Sequence, residues 1–126
     1  MNETVQKYFN AMQQGADGED DLVGLFVDDA VYQEPFGGQT LTGRDAIREW
    51  LRASRAQAPP DLQITVERID IVGDVVEATW TCESPIFLSP TRGRDRFTIR
   101  NGKIVRLESE VVEPPTLVND GEALNG

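Results

Sequence analysis

With 126 residues, of which 39% are hydrophobic and 27% charged, the chain has material for one folded domain and neither the composition of a disordered segment nor the cysteine density of a disulfide framework. Twenty-two acidic against twelve basic side chains give a net charge of −10, which repels phosphate backbones and anionic bilayers, so neither nucleic acid nor membrane is an expected partner. There is no histidine, which removes Ser-His and Cys-His nucleophiles and imidazole metal ligation; no metal or organic cofactor is expected, and any chemistry falls to carboxylates and phenols. The single cysteine, Cys82, has no intrachain partner, and no cationic, apolar leader is evident, so a cytoplasmic location is expected.

In chain order, Val5, Tyr8, Phe9 and Met12 recur at helical spacing and predict a first helix over 3–14, ended by Gly15. The acidic run 17–21 suits the positive end of a second helix carrying Leu22, Val23, Leu25 and Phe26, and lacks the ligand spacing of a calcium loop. Ala30, Tyr32 and Glu34 alternate with Val31, Gln33 and Pro35 in a short strand that runs into Gly37-Gly38. A third helix over 43–57 presents Ile47, Trp50 and Leu51 and stops at Pro59-Pro60.

From Asp61 the period is that of strands. Leu62, Ile64 and Val66 lie in phase, Ile69 and Ile71 out of it, and a bulge near Glu67 and Arg68 reconciles them. Gly73-Asp74 turns the chain into a strand with Val76, Ala78, Trp80, Cys82 and Ser84 on one face. Pro85 and Pro90 bracket an edge or irregular crossing, and Asn101-Gly102 joins the strands 94–100 and 103–112 as a hairpin. Residues 114–126 lack periodicity and read as a mobile tail behind a single domain over 1–113. Helices first and a curved, mainly antiparallel sheet after them give an α+β class, with the sheet folded over the helices to enclose a pocket.

Three polar groups sit on apolar faces. Asp95 shares its strand face with Phe97 and Ile99, and the partner strand adds Val105, Leu107, Ser109 and Val111. An ionised carboxylate there is costly, so Asp95 is protonated, paired or in a wet pocket; the plain alternative is a strand-end aspartate near solvent or bonded to backbone amides. Glu34 shares a face with Tyr32 and is either a second inward carboxylate or a turn residue in water. Tyr8, on the first helix's apolar stripe, is a core phenol in need of a hydrogen-bond partner or one tipped toward solvent. The arginines 92, 94, 96 and 100 can be balanced by Glu77, Glu83, Glu108 and Glu110 on a charged convex face, or serve a dimer interface. Cys82, without a histidine base, reads as a small core residue.

Several of these stretches together, Val5-Gln6-Lys7-Tyr8, 25–30 (LFVDDA), Glu34-Pro35-Phe36-Gly37, 42–50 (TGRDAIREW), Asp95-Arg96-Phe97 and Gly102-Lys103-Ile104-Val105, resemble ketosteroid isomerases over about Val5 to Val112. More broadly the chain resembles SnoaL-like members of the nuclear transport factor two-like superfamily, which implies a cone-shaped fold with a curved sheet wrapped round three helices. The resemblance implies that Glu34 is a general base moving a proton between two carbons, with Tyr8 and a protonated Asp95 as oxyanion donors. It implies a pocket walled by Trp50, Trp80, Cys82, Phe97, Leu107, Ser109 and Val111. The match departs at Glu34, where the family base is usually aspartate: the extra methylene displaces the carboxylate by about 1 Å, a shift that can cost on the order of a hundredfold in rate. Leu51 stands where some relatives have a tyrosine supporting the oxyanion phenol.

The function so implied is a cofactor-independent isomerase of the ketosteroid isomerase type, acting on a small apolar carbonyl or steroid-like ligand as a homodimer. The alternatives are a non-catalytic ligand-binding or dimeric assembly module of the same fold, and a polyketide-cyclase-like enzyme. An epoxide-hydrolase chemistry would need an Asp-Arg-Asp set, and the strand bearing Trp80 and Cys82 has no Arg-x-Asp.

Overall fold

The computed structural model describes residues 2–59, 61–114 and 116–117. Among them α1 (Asn2–Gln13) is followed by a 3₁₀ turn (Gly15–Gly18), α2 (Glu19–Gly24), β1 (Phe26–Gln33), β2 (Thr40–Thr42) and α3 (Arg44–Gln57). Then come β3 (Gln63–Val72), β4 (Val75–Glu83), β5 (Phe87–Ser89), β6 (Thr91–Arg100), β7 (Lys103–Glu113) and β8 (Thr116–Leu117). Six strands form a mixed, curved, unclosed sheet in the order β2-β1-β7-β6-β4-β3, parallel only between β1 and β7, with β5 and β8 as a separate ribbon. The result is an α+β, cone-like fold with the helices held in the concave face. No helix among the described residues is long and apolar enough to cross a membrane.

The alternation on β6 is complete: Gly93, Asp95, Phe97 and Ile99 are buried while Arg92, Arg96 and Arg100 are exposed. This strand is central, paired to β4 on one side and β7 on the other, so its inward side chains form the floor of the cone. The bulge expected near Glu67 and Arg68 is present as a register shift between Val66 and Arg68. Asn101 and Gly102, at φ 52° and 75°, make the left-handed turn that joins β6 to β7.

The structure corrects several expectations. Phe26 opens β1 rather than closing the second helix, because its wholly buried ring is held by the sheet, with its carbonyl accepting from Arg44 Nε at 2.9 Å. That strand therefore begins before Ala30 and includes Asp28 and Asp29, and it gains the short partner β2. Val105 is not in the inward row: Thr98 pairs with Arg106 and Ile99 with Ile104, so Val105 is the extra residue of a bulge and Ile104 takes the buried place. Thr116 and Leu117, within the expected tail, pair with β5; residues 118–126 of that tail lie outside the described residues.

The acidic run 17–21 contains a feature that its composition hides. Arg48, Arg52 and Arg55, at i, i+4 and i+7 on α3, share one helix face and converge on Glu19 of α2. Glu19 accepts from Arg48 Nη1 at 2.7 Å, from Arg52 Nε and Nη2 at 2.8 Å, and from Arg55 Nη2 at 2.6 Å, while Arg55 also donates to the Gly15 carbonyl. These guanidinium bonds, that from Arg52 first, outweigh burial and hold the Glu19 carboxyl down at about 2. A depressed folded pKa contributes stability above the unfolded value of about 4.5 that is lost as pH falls toward 2. Glu19→Gln is therefore expected to unfold at lower urea than the parent at pH 7, with the difference closing between pH 4.5 and 2 in unfolding curves taken at stepped pH.

Candidate active site

A cavity of about 600 Å³ opens between α1, α3 and the concave face of the sheet. Tyr8 from α1, Tyr32 from β1, Glu34 after β1, Asp95 from β6 and Ser109 from β7 all line it, as do Trp50, Trp80 and Cys82. Three of the expected walls do not reach it. Phe97 and Leu107 are wholly buried beneath the cavity, opposite each other across β6 and β7, and Val111 stands opposite Gly93 without lining it. Phe97 instead braces the site: its ring meets Tyr8 edge-on at 5.1 Å and Phe9 at 6.0 Å.

Asp95 is 3% exposed, and among the described residues no Lys or Arg lines the cavity with it. Its Oδ1 accepts from Trp80 Nε1 at 3.0 Å and from Ser109 Oγ at 2.5 Å. Burial pushes its carboxyl up to about 6, and the Ser109 and Trp80 bonds only moderate the rise. This geometry sides against the solvent-exposed alternative: Asp95 is a buried acid that holds its proton up to about pH 6.

Glu34 is in the opposite state. It is 4% exposed, yet Oε1 accepts from the backbone N–H groups of Gly37 at 2.6 Å and Gln39 at 2.9 Å, and Oε2 from that of Phe36 at 3.1 Å. Burial raises its pKa, but the backbone donors of the 34–39 turn outweigh burial and leave the carboxyl below its ordinary value. The Glu34 N–H closes the same turn on the Gln39 carbonyl at 3.0 Å. The turn carries Phe36 to the mouth, where its ring stacks on Trp50 at 6.3 Å.

Tyr32 was not among the expected site residues. Its hydroxyl adjoins those of Tyr8 and Ser109, so the phenols and Asp95 form one polar patch at the deep end of an otherwise apolar cavity. Tyr32 thus supplies the phenol partner that position 51 lacks, where Leu51 is a core residue. The signal was available: Tyr32 shares a strand face with Glu34, and a buried tyrosine needs a polar neighbour. Burial raises both phenols well above 10, so they are donors and not bases. The Cys82 thiol is pushed up to about 11 by burial and then by Asp95, which keeps it protonated. Among the described residues no three Cys, Asp or Glu side chains gather at metal-binding separation.

A family model described as a SnoaL-like domain matches residues 5–107. Among solved structures, a protein of Sinorhizobium meliloti provisionally assigned as a polyketide cyclase is 27% identical, over 85% of this chain and 93% of its own, with a TM-score of 0.73. The epoxide hydrolase/cyclase-like enzyme SalBIII of pyran ring formation in salinomycin is 23% identical over 87% and 88%, at 0.71. A protein of Kribbella flavida provisionally assigned as a ketosteroid isomerase is 21% identical over 90% and 81%, at 0.69. The last two, at such identity, show likeness of fold. No curated protein matches the chain significantly.

A carboxyl raised from 3.8 to about 6 by folding costs nothing well below 3.8, where folded and unfolded chains both hold the proton, and its cost grows as pH rises from there through 6 and then levels off. At 1.4 kcal/mol per unit this amounts to about 3 kcal/mol. Asp95→Asn keeps an Oδ1 acceptor for Trp80 and Ser109 but cannot ionise. Thermal melts from pH 4 to 7 are expected to show the parent losing stability across this window relative to the variant.

Proposed function

The chain belongs to the SnoaL-like domain family, and on that premise we propose that it is a cofactor-independent isomerase of the ketosteroid isomerase type, moving a proton within a small, neutral, apolar carbonyl ligand. One observation carries the reading: two carboxyl groups line one apolar cavity in environments that drive their protonation apart. The pair divides into a base and an acid. Ionised Glu34 takes a proton from the carbon next to the carbonyl, through a lone pair not already given to the turn. The C–H electrons pass to the carbonyl oxygen, and the resulting enolate is held by the Asp95 carboxylic acid and the Tyr8–Tyr32 phenols. Glu34 then returns the proton to the far carbon of the conjugated system, which restores the starting state of the protein. A cavity whose described lining holds no cation suits a neutral ligand and disfavours carboxylate or phosphate-bearing ones. The same reading includes a homodimer through the convex face, supported by its exposed columns of opposite charge such as Arg94–Glu110 at 3.0 Å and Arg96–Glu77 at 3.1 Å.

A second reading, ring closure of the polyketide-cyclase kind, is favoured by the value of about 6 at Asp95, which suits a group that gives and regains a proton near neutrality. The two readings differ in which carboxyl dominates. With a β,γ-unsaturated steroid ketone as probe, followed by the absorbance of the conjugated enone and by deuterium exchange next to the carbonyl, Glu34→Gln is expected to lower turnover by about 10²–10⁴-fold. Affinity for an apolar phenol should stay within a few fold of the parent. Asp95→Asn is expected to cost about 10²–10³-fold. Phenol binding by a parent protein that exchanges no ketone protons would reduce the cavity to a binding site. Exchange that survives Glu34→Gln but not Asp95→Asn would move the chemistry to Asp95.

A further inference from the structure

Across the β4–β6 pair, Trp80 stands opposite Gly93 and Ala78 opposite Asp95, so all four side-chain positions face the cavity side of the sheet. A Cβ placed at Gly93 would overlap Cζ2, Cε2 and Cη2 of the Trp80 indole. The indole therefore lies over bare backbone, in a berth that only glycine leaves open. Lying there, it turns Nε1 toward the next inward residue of β6 and donates to Asp95 Oδ1 at 3.0 Å. From the other side β7 brings Ser109 opposite Asp95, with Oγ at 2.5 Å from the same oxygen. An indole N–H can only donate, which fixes Oδ1 as an acceptor.

We propose that Gly93 and Trp80 form a positioning pair that selects which oxygen of Asp95 carries its acidic proton: glycine opens the berth, the indole occupies Oδ1, and the proton is presented to the ligand at Oδ2. The pair acts through Asp95 and needs no contact with the ligand. The groups facing Asp95 are Tyr8 from α1, Tyr32 from β1, Trp80 and Cys82 from β4, and Ser109 from β7, with Glu34 on the same cavity. Arg94 and Arg96, its neighbours on β6, pair with glutamates on the opposite face. The indole and the serine hydroxyl therefore have no cation to compete with among the described cavity residues. The catalytic consequence rests on the enolisation reading, whereas the placement of the proton does not.

The test is a titration of the Asp95 carboxyl carbon by NMR in the ligand-free full chain. Trp80→Phe keeps an aromatic ring at position 80, short of the atoms that lie over Gly93, but removes the donor to the ionised form, and is expected to raise the Asp95 midpoint by about one unit. Gly93→Ala, by expelling the indole, is expected to produce the same rise. In the Trp80→Phe background it should add nothing, since phenylalanine lacks the overlapping atoms. An unmoved midpoint in Trp80→Phe overturns the proposal, as does a Gly93→Ala shift that is equally large in both backgrounds. Should Gly93→Ala fail to fold, the Trp80→Phe midpoint decides alone. The expected shifts in a protein that exchanges no ketone protons support the pair and overturn only the enolisation reading.

Discussion

A carboxyl group that a central strand forces onto the concave face of a sheet must either find a cation or hold its proton to a higher pH, and Asp95 finds no cation among the described cavity residues. Its place is set by alternation: Phe97 and Ile99 must be buried for the cone to have a floor, and Asp95, in phase with them, is buried by the same requirement. Two neutral donors, Trp80 and Ser109, stabilise one oxygen without supplying charge. That is enough to satisfy the group's hydrogen bonding and too little to ionise it fully near neutrality. An acid held in this way can donate to a developing oxyanion, which an ordinary surface aspartate cannot do.

Glu34 shows that burial alone does not set protonation. It is nearly as buried as Asp95, yet it has the donors of a closed turn at hydrogen-bond distance, and their summed effect exceeds the cost of desolvation. The difference lies in the kind of backbone around each group. Strand N–H groups on β6 are committed to β4 and β7, so none is free for Asp95, whereas the irregular segment after β1 leaves the N–H groups of Phe36, Gly37 and Gln39 unpaired. Sheet and turn thus impose opposite states on two chemically similar side chains that share one cavity.

Where one period ran unbroken, the sequence was legible in its elements and faces. The third helix, expected over 43–57 and found as Arg44–Gln57, the Asn101-Gly102 hairpin and the inward row Asp95, Phe97, Ile99 follow from spacing, and even the bulge at Glu67 and Arg68 announced itself as a change of phase. Phe26 failed because an apolar residue at a helix end has the same local pattern as one that opens a strand; only the sheet settles it. Val105 failed because a bulge next to a tight turn adds one residue to β7 and shifts the register without breaking the local apolar pattern. The Glu19 clamp was hidden because its arginines lie about thirty positions away on another helix, and an acidic run near a helix start already had a sufficient local explanation. Among the site residues, Tyr8, Glu34 and Asp95 do share a cavity, while Phe97, Leu107 and Val111 share its strands without reaching it. A face is legible from alternation, but depth along that face is not, because depth depends on how far the sheet has curved.

The glutamate at position 34 acquires a physical reason in this setting. A side chain one methylene longer than aspartate can fold back along its own turn and accept from residues two, three and five positions ahead. The carboxylate is therefore anchor and candidate base at once, and the same donors that orient it also weaken it as a base. A weaker base removes a carbon-bound proton only if the carbon acid is made correspondingly stronger, and in this cavity that can come only from the opposite side, where the enolate oxygen would meet Asp95 and the phenols. On the proposed enolisation, the energetic burden would thus shift from proton abstraction to oxyanion stabilisation. The deep end of the cavity, where the hydroxyl and carboxyl groups gather while the rest of its wall is apolar, is where that burden would fall. The lie of one indole over one glycine would then bear on the chemistry of a ligand that neither of them needs to touch.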